Sequence, residues 1–224
     1  MCNKYEPVQY ELWPIMGVEA PVQPYKLALG PWGHGPFIRP VEGRLQAFVG
    51  QWAMVAPGAR EAAPRSRVPM TNNARLETID EKKTFSGPWA RGQRCLIPAR
   101  SYDEPRYDDG RTNVWWRMRP RNAPYWMMAG IWSEWIDPRT GEVLPNFSMV
   151  TVNCDTHPLL RLMHKPDTSR PEHMQDKRAV VALSADRWEA WLFGPVDRAK
   201  ALCTLPDEGE FDAGPALMPA KPEH

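Results

Sequence analysis

At 224 residues the chain is about one and a half times a typical domain, so one large domain, or one domain with a tail, is expected. A hydrophobic fraction of 42% with 25% charged residues excludes wholesale disorder, and no run approaches the roughly 18 to 20 apolar residues of a membrane-spanning helix. The formal net charge of +1 removes the argument for a nucleic-acid partner from global electrostatics, so any basic footprint has to be local.

The N-terminus opens MCNKYEPVQYELWP, without the basic run and apolar core of an export signal. The expected compartment is therefore a reducing cytoplasm, where Cys2, Cys95, Cys154 and Cys203 stay free. They form no CxxC pair and no His/Cys cluster at zinc spacing, so neither a metal nor a cofactor is expected. Proline, at 25 residues, is about twice its ~5% average and argues against long helices. Most of the eleven tryptophans read as packing residues.

Along the chain, residues up to about 40 read as loop, because seven prolines interrupt them and LGPWGHGPF (29–37) reads as successive turns. Strand-length runs rich in β-branched and aromatic residues follow at 45–55, 113–118, 125–135, 147–153 and 179–183. DPRTGE (137–142) joins two of them as a hairpin turn. Helical signals come late: Ser184 precedes a face of Trp188, Trp191 and Leu192, and Pro195 opens a segment with Val196, Ala199, Leu202 and Cys203. These elements predict an α+β domain over residues 1–203, β-rich, with short peripheral helices packed on a curved sheet. Residues 204–224, with four prolines and five acids against one lysine, read as an acidic tail.

Charge is uneven. Residues 91–121 hold eight arginines and four acids, which fits either a solvated surface or a phosphate-contacting face with Tyr107, Trp115 and Trp116 for stacking.

Four segments carry residues with chemistry. Cys2 follows the initiator methionine, and removal of Met1 places an α-amine and a thiol on one residue. An aldehyde meeting both forms an imine that sulfur closes into a thiazolidine. In TNNARLET (71–78), Asn73 can hold a sugar hydroxyl or a carbonyl, Arg75 can fork a phosphate and Glu77 can orient either. QRCLIPARSYDEPRY (93–107) reads as a short apolar strand running into a turn that carries Asp103 and Glu104, where a carboxylate near apolar groups can act as acid or base. In TVNCDTHPLLRLMHKPD (151–167), His164 is the better proton-transfer candidate, whereas His157, before Pro158, reads as a helix-entry residue.

In order and spacing, MCNKY, NNARLET, RCLIPARSYDEP, and TVNCDTHPLLRLMHKPD followed by DKRAVVAL resemble the SRAP family of SOS-response-associated peptidase domains. The resemblance spans roughly residues 1 to 194. It implies the barrel-like SRAP fold and a damage-response function, in which Cys2, exposed by autoproteolytic loss of Met1, crosslinks to the ring-opened aldehyde of an abasic site in single-stranded DNA. It also implies that Asn73 positions nucleophile and sugar, Glu104 assists imine formation and reversal, and His164 assists ring opening. Lys4, Arg75, Glu77, Arg100 and Arg106 complete an expected DNA-contacting set, on a monomer at the bacterial nucleoid.

The chain departs from the family pattern in four places. Arg100-Ser101-Tyr102-Asp103-Glu104-Pro105 stands where most members read D-G-F-Y-E-W, and Lys4 stands where arginine is common. WAMVAPGAREAAPRSR (52–67) offers Pro57, Gly58 and Ala59 in place of an aromatic wedge, and the compact H-x-R-M-P is opened into HKPDTSRPEHMQDKR. From the residues alone, a cysteine-nucleophile peptidase and a non-covalent single-strand binder stay open beside covalent capture.

Overall fold

The computed structural model describes residues 2–63 and 70–216; of the stretch 52–67, residues 64–67 lie outside the described residues. Among the described residues, ten strands and three short α-helices follow one another as β1 (Tyr5–Pro7), β2 (His34–Val41), β3 (Arg44–Trp52), β4 (Asn73–Arg75), α1 (Lys83–Ala90), β5 (Arg94–Arg106), β6 (Val114–Pro120), β7 (Trp126–Ile136), β8 (Val143–Asn153), β9 (Arg178–Val180), α2 (Trp188–Phe193), α3 (Val196–Ala199) and β10 (Phe211–Pro215). Strands β5, β2, β3, β8 and β7 pair in a ring and close a five-stranded barrel, on which the remaining strands are built. The α+β, β-rich barrel expected from the sequence is thus the fold observed.

Local sequence accounts for the hairpins. Glu42 and Gly43, both at positive φ (50° and 77°), form the two-residue turn between β2 and β3, the backbone that matches strand twist. The β7–β8 hairpin closes through DPRTGE, where Asp137 accepts the Arg139 N–H at 2.8 Å and Gly141 takes φ 76°. Alternation along the strands divides the apolar residues into two clusters. Ile38, Leu96, Ala129 and Val150 pack with Trp89, Trp191 and Leu192 of the helices. Phe37, Cys95, Ile97, Met128 and Met149 pack from the opposite face with Cys2 and Tyr5.

Three expectations are corrected. LGPWGHGPF is not turn throughout: β2 begins at His34 and carries Pro36 and Pro40, its pairing being completed by the β3 partner. Helix α1 was not expected, because Gly87 and Pro88 break its sequence pattern; Phe85, Pro88 and Trp89 nevertheless bury one face. The acidic segment after residue 203 is not simply a tail. Asp207 and Glu210 form a capping box, and β10 pairs antiparallel with β6 from Phe211↔Pro120 to Pro215↔Trp116. Phe211 is buried there against Trp126, with ring centroids 5.1 Å apart. Residues 217–224 of the expected tail lie outside the described residues.

Candidate active site

Cys2 enters the site on the short segment leading into β1 and is wholly buried. Its carbonyl oxygen accepts two side-chain amides, Asn72 Nδ2 at 2.8 Å and Asn73 Nδ2 at 2.7 Å. Both asparagines are held by backbone pairing. Asn73 opens β4, which runs parallel to β8, and the Asn72 carbonyl accepts the Met149 N–H at 3.0 Å and the Trp52 indole at 2.9 Å. Asn72 was not among the residues singled out from the sequence; the doubled asparagine of TNNAR is the signal for it. Burial pushes the Cys2 thiol well above its ordinary range, and the Glu104 charge pushes it further, so the sulfur is a thiol at neutral pH.

Glu104 faces this thiol because β5 does not end where the sequence suggested. The turn expected at Asp103 and Glu104 is continuous strand to Arg106, stabilised by β6 on one edge and β1 on the other. Between Ala99 and Ser101 the pairing with β1 slips, since Pro7 faces Ala99 while Glu6 faces Ser101. Arg100 is the extra residue of a bulge, and it is exposed. The extra residue changes the parity of the strand. Cys95, Ile97 and Ala99 therefore share a cluster with Tyr102, and Glu104 continues along that face.

The adjacent carboxylates consequently meet opposite environments. Asp103 points the other way and receives Arg117 through two hydrogen bonds of 2.8 and 3.0 Å and Lys4 at 2.8 Å. Burial alone would raise its carboxyl, but these cations outweigh burial and hold it below the usual range. Among the described residues, neither oxygen of buried Glu104 accepts a hydrogen bond. Burial raises its carboxyl to about 7, which makes it a protonated donor and an ionised acceptor in comparable amounts near neutrality.

His164 Nε2 lies 3.4 Å from Glu104 Oε2. The residue sits in the left-handed region at φ 64°; its N–H donates to the Pro105 carbonyl at 2.6 Å, and its carbonyl accepts the Lys177 ammonium. Burial lowers the imidazole to about 3, with the Lys177 charge acting in the same direction and a backbone hydrogen bond at Arg178 opposing it. A neutral imidazole thus faces a carboxyl that titrates near 7. His157 has the structural place expected of a helix-entry residue: Nδ1 accepts the N–H groups of Leu159 and Leu160 at 3.2 and 3.1 Å, and Nε2 meets the Pro206 carbonyl at 2.9 Å.

The residues expected to contact DNA have varied partners in the fold. Lys4 is joined to Asp103, and Arg75, exposed at the end of β4, pairs with Asp176 at 2.8 Å. Glu77 binds the buried Arg178 guanidinium and accepts the Asn153 N–H at 3.3 Å. Arg106 lies 4.1 Å over the Trp116 ring and pairs with Asp108 at 2.6 Å. Several arginines of the basic segment serve the fold: Arg94 donates to the Trp191 and Gly194 carbonyls, and Arg121 donates to Gly209 and Phe211. All four cysteines are free and buried. Among the described residues no cluster of three or more His, Cys, Asp or Glu could hold a metal, and no helix is long and apolar enough to cross a membrane.

Comparison with known proteins matches residues 15–215 to the profile of the family described as SOS response associated peptidase, SRAP. The chain belongs to the SRAP family. It is 25% identical over 142 residues to the abasic site processing protein YoaM of Bacillus subtilis, a match covering 63% of this chain and 54% of that protein. It is 26% identical over 120 residues to the abasic site processing protein HMCES of Gallus gallus, covering 46% and 36% respectively. The match spans about half, or less, of the length of these relatives. A solved structure of a Bordetella bronchiseptica protein superposes with a TM-score of 0.83 at 27% identity, covering 97% of this chain and 100% of the other. One from Bacteroides thetaiotaomicron, at TM-score 0.75 and 20% identity over 95% and 90%, shares the fold.

Proposed function

We propose that this SRAP protein captures abasic sites in single-stranded DNA through Cys2. The observation that carries the reading is the convergence of a buried Cys2, its carbonyl held by Asn72 and Asn73, on a buried carboxyl that titrates near 7 and a buried imidazole that is neutral there. The names of the YoaM and HMCES relatives, abasic site processing proteins, agree with it.

Met1 must first be removed, by the chain's own chemistry in this reading; it lies outside the described residues. The freed α-amine of Cys2, with an ordinary pKa of about 7.7 to 8.0, adds to the aldehyde carbon of the opened sugar. Glu104 in its acid form protonates the carbinolamine hydroxyl, which leaves as water and yields the protonated imine. The Cys2 sulfur then adds to the imine carbon, while the Glu104 carboxylate takes the thiol proton and so returns to its acid form. Aldehyde and aminothiol thereby become a thiazolidine and one water. His164, as a neutral imidazole, relays the proton of the closed sugar, Asn73 orients Cys2 and the sugar, and Lys4, Arg75, Arg100 and Arg106 contact phosphate. Glu77 acts through Arg178.

Denaturing electrophoresis with abasic single-stranded DNA tests the reading, because only covalent capture gives a shifted band that survives denaturant. Cys2→Ala abolishes that band, and Cys2→Ser nearly does so, since a hydroxyl is a poor nucleophile near neutrality. A full-yield crosslink by Cys2→Ala would overturn the mechanism.

A further inference from the structure

Beside the capture centre lies a second cavity, of about 360 Å³, that the proposed chemistry leaves unused. It opens on His164 and is bounded by residues 165–177, the stretch that separates His164 from Arg178 where the family pattern is compact.

This stretch is folded into a fixed wall. Gln175 Oε1 accepts the Asp167 N–H at 2.7 Å, and its Nε2 donates to the carbonyls of Asp167, Arg170 and Pro171 at 3.0 to 3.1 Å. Asp167 accepts the Ser169 N–H and hydroxyl at 3.0 and 2.6 Å. At the far end, the Asp155 carboxylate accepts the N–H groups of Asp176 and Lys177 at 2.9 and 2.7 Å.

The lining decides what fits. Arg161, Arg170 and Lys177 are balanced by Asp155, Asp167 and Glu172, and Arg170–Asp167 (3.3 Å) and Arg161–Glu172 (3.6 Å) are paired. A phosphate site needs surplus positive charge, which this lining does not have. Tyr107, Leu162 and Pro166 add flat apolar surface, and Thr168 adds a hydroxyl. Apolar faces with paired donors and acceptors at the edge suit an uncharged heteroaromatic ring, and the volume lies at the small end of the ~300–1,000 Å³ typical of ligand pockets.

We propose that this cavity is a nucleobase subsite: it takes the base of the nucleotide next to the abasic sugar, stacked on Tyr107, and makes capture depend on that neighbour. The inference rests on the capture reading, and its geometric ground is that His164 lines both sites. His164, with Nε2 3.4 Å from Glu104 Oε2 and a place in the cavity's lining, makes the two sites neighbours.

The test measures crosslinking rates of the full chain at subsaturating DNA. In single-stranded oligonucleotides with one abasic site, the 5′ and then the 3′ neighbour is A, C, G, T or a base-less reduced-sugar spacer. On one side, loss of the base lowers the rate on the order of tenfold, as expected for one stacked base, and the four bases differ; on the other side the spacer changes little. Tyr107→Ala brings the favoured strand down to the rate of the base-less one, and Tyr107→Phe, which keeps the ring, restores the difference. Thermal melting of both variants verifies the fold. Rates independent of the neighbouring base on both sides, or a dependence that survives Tyr107→Ala, would overturn the subsite while leaving capture intact. No crosslink with any strand would instead remove the capture reading, and the subsite with it.

Discussion

Two neighbouring acids in one strand have their ionisation set entirely by which way they face. Asp103 meets Arg117 and Lys4 and stays ionised; Glu104 meets the interior and titrates near 7. Because its pKa when folded lies above the unfolded value of about 4.3, the folded state binds the extra proton between these values. Its stabilising contribution is full below about pH 4 and lost as pH rises through about 7. Glu104→Gln carries no such loss, so its stability relative to the parent protein should grow by roughly 3 kcal/mol between pH 4 and pH 8. Crosslinking by the variant should slow on the order of a hundredfold, the low end for lost acid–base help. Chemical denaturation at several pH values, beside crosslinking rates, measures both. A parallel pH dependence of stability in the two proteins would contradict a buried titrating Glu104.

Arg75 offers a second prediction at the same scale. Its guanidinium pairs with Asp176, so a DNA phosphate has to compete with a carboxylate already in place. Exposed ion pairs are worth about 0 to 1 kcal/mol, and exchange is therefore open to an incoming strand. Asp176→Asn should tighten binding to single-stranded DNA a few-fold at low salt, and Arg75→Ala should weaken it and reduce the salt slope by about 1. Affinity measured across a salt titration checks both. Equal slopes for Arg75→Ala and the parent protein would remove Arg75 from the phosphate contacts.

At the level of elements, the Arg100 bulge and strand β10 matter most. The bulge returns Tyr102 and Glu104 to the face of Cys95, Ile97 and Ala99, and nothing in RCLIPARSYDEP signals one extra residue, since a bulge is defined by the partner strand. Strand β10 covers the edge of β6 and inserts Phe211 among Trp126 and His157. Phe211→Ala removes a large buried ring and should cost about 3 to 5 kcal/mol of stability, read as a shift of the denaturant midpoint. A change below about 1 kcal/mol would mean that this strand is peripheral to the fold. The acidic, proline-rich composition of residues 204–224 pointed to a tail, whereas pairing with β6 and one aromatic anchor outweigh composition.

Over the whole molecule, the sequence by itself determined the β-rich class, the strand runs near 45–55, 113–118, 125–135 and 147–153, the DPRTGE hairpin and the late short helices. Each depends on contacts within a few residues: alternation, turn chemistry and proline. The chemistry-bearing motifs were legible for the same reason, since Cys2, Asn73, Glu104 and His164 stand in distinctive local strings. Tertiary structure alone decided that β5 stays extended through Glu104, that β2 carries two prolines, that Asn72 joins Asn73 on the Cys2 carbonyl and that β10 joins the sheet. It also decided the charge states, raising Glu104 and lowering His164 while Asp103 stays ionised. Burial, hydrogen bonding and ion pairing act between segments as far as 71 and 101 residues apart in the chain, so they become defined only when the barrel closes and sets each side chain's solvent and neighbours.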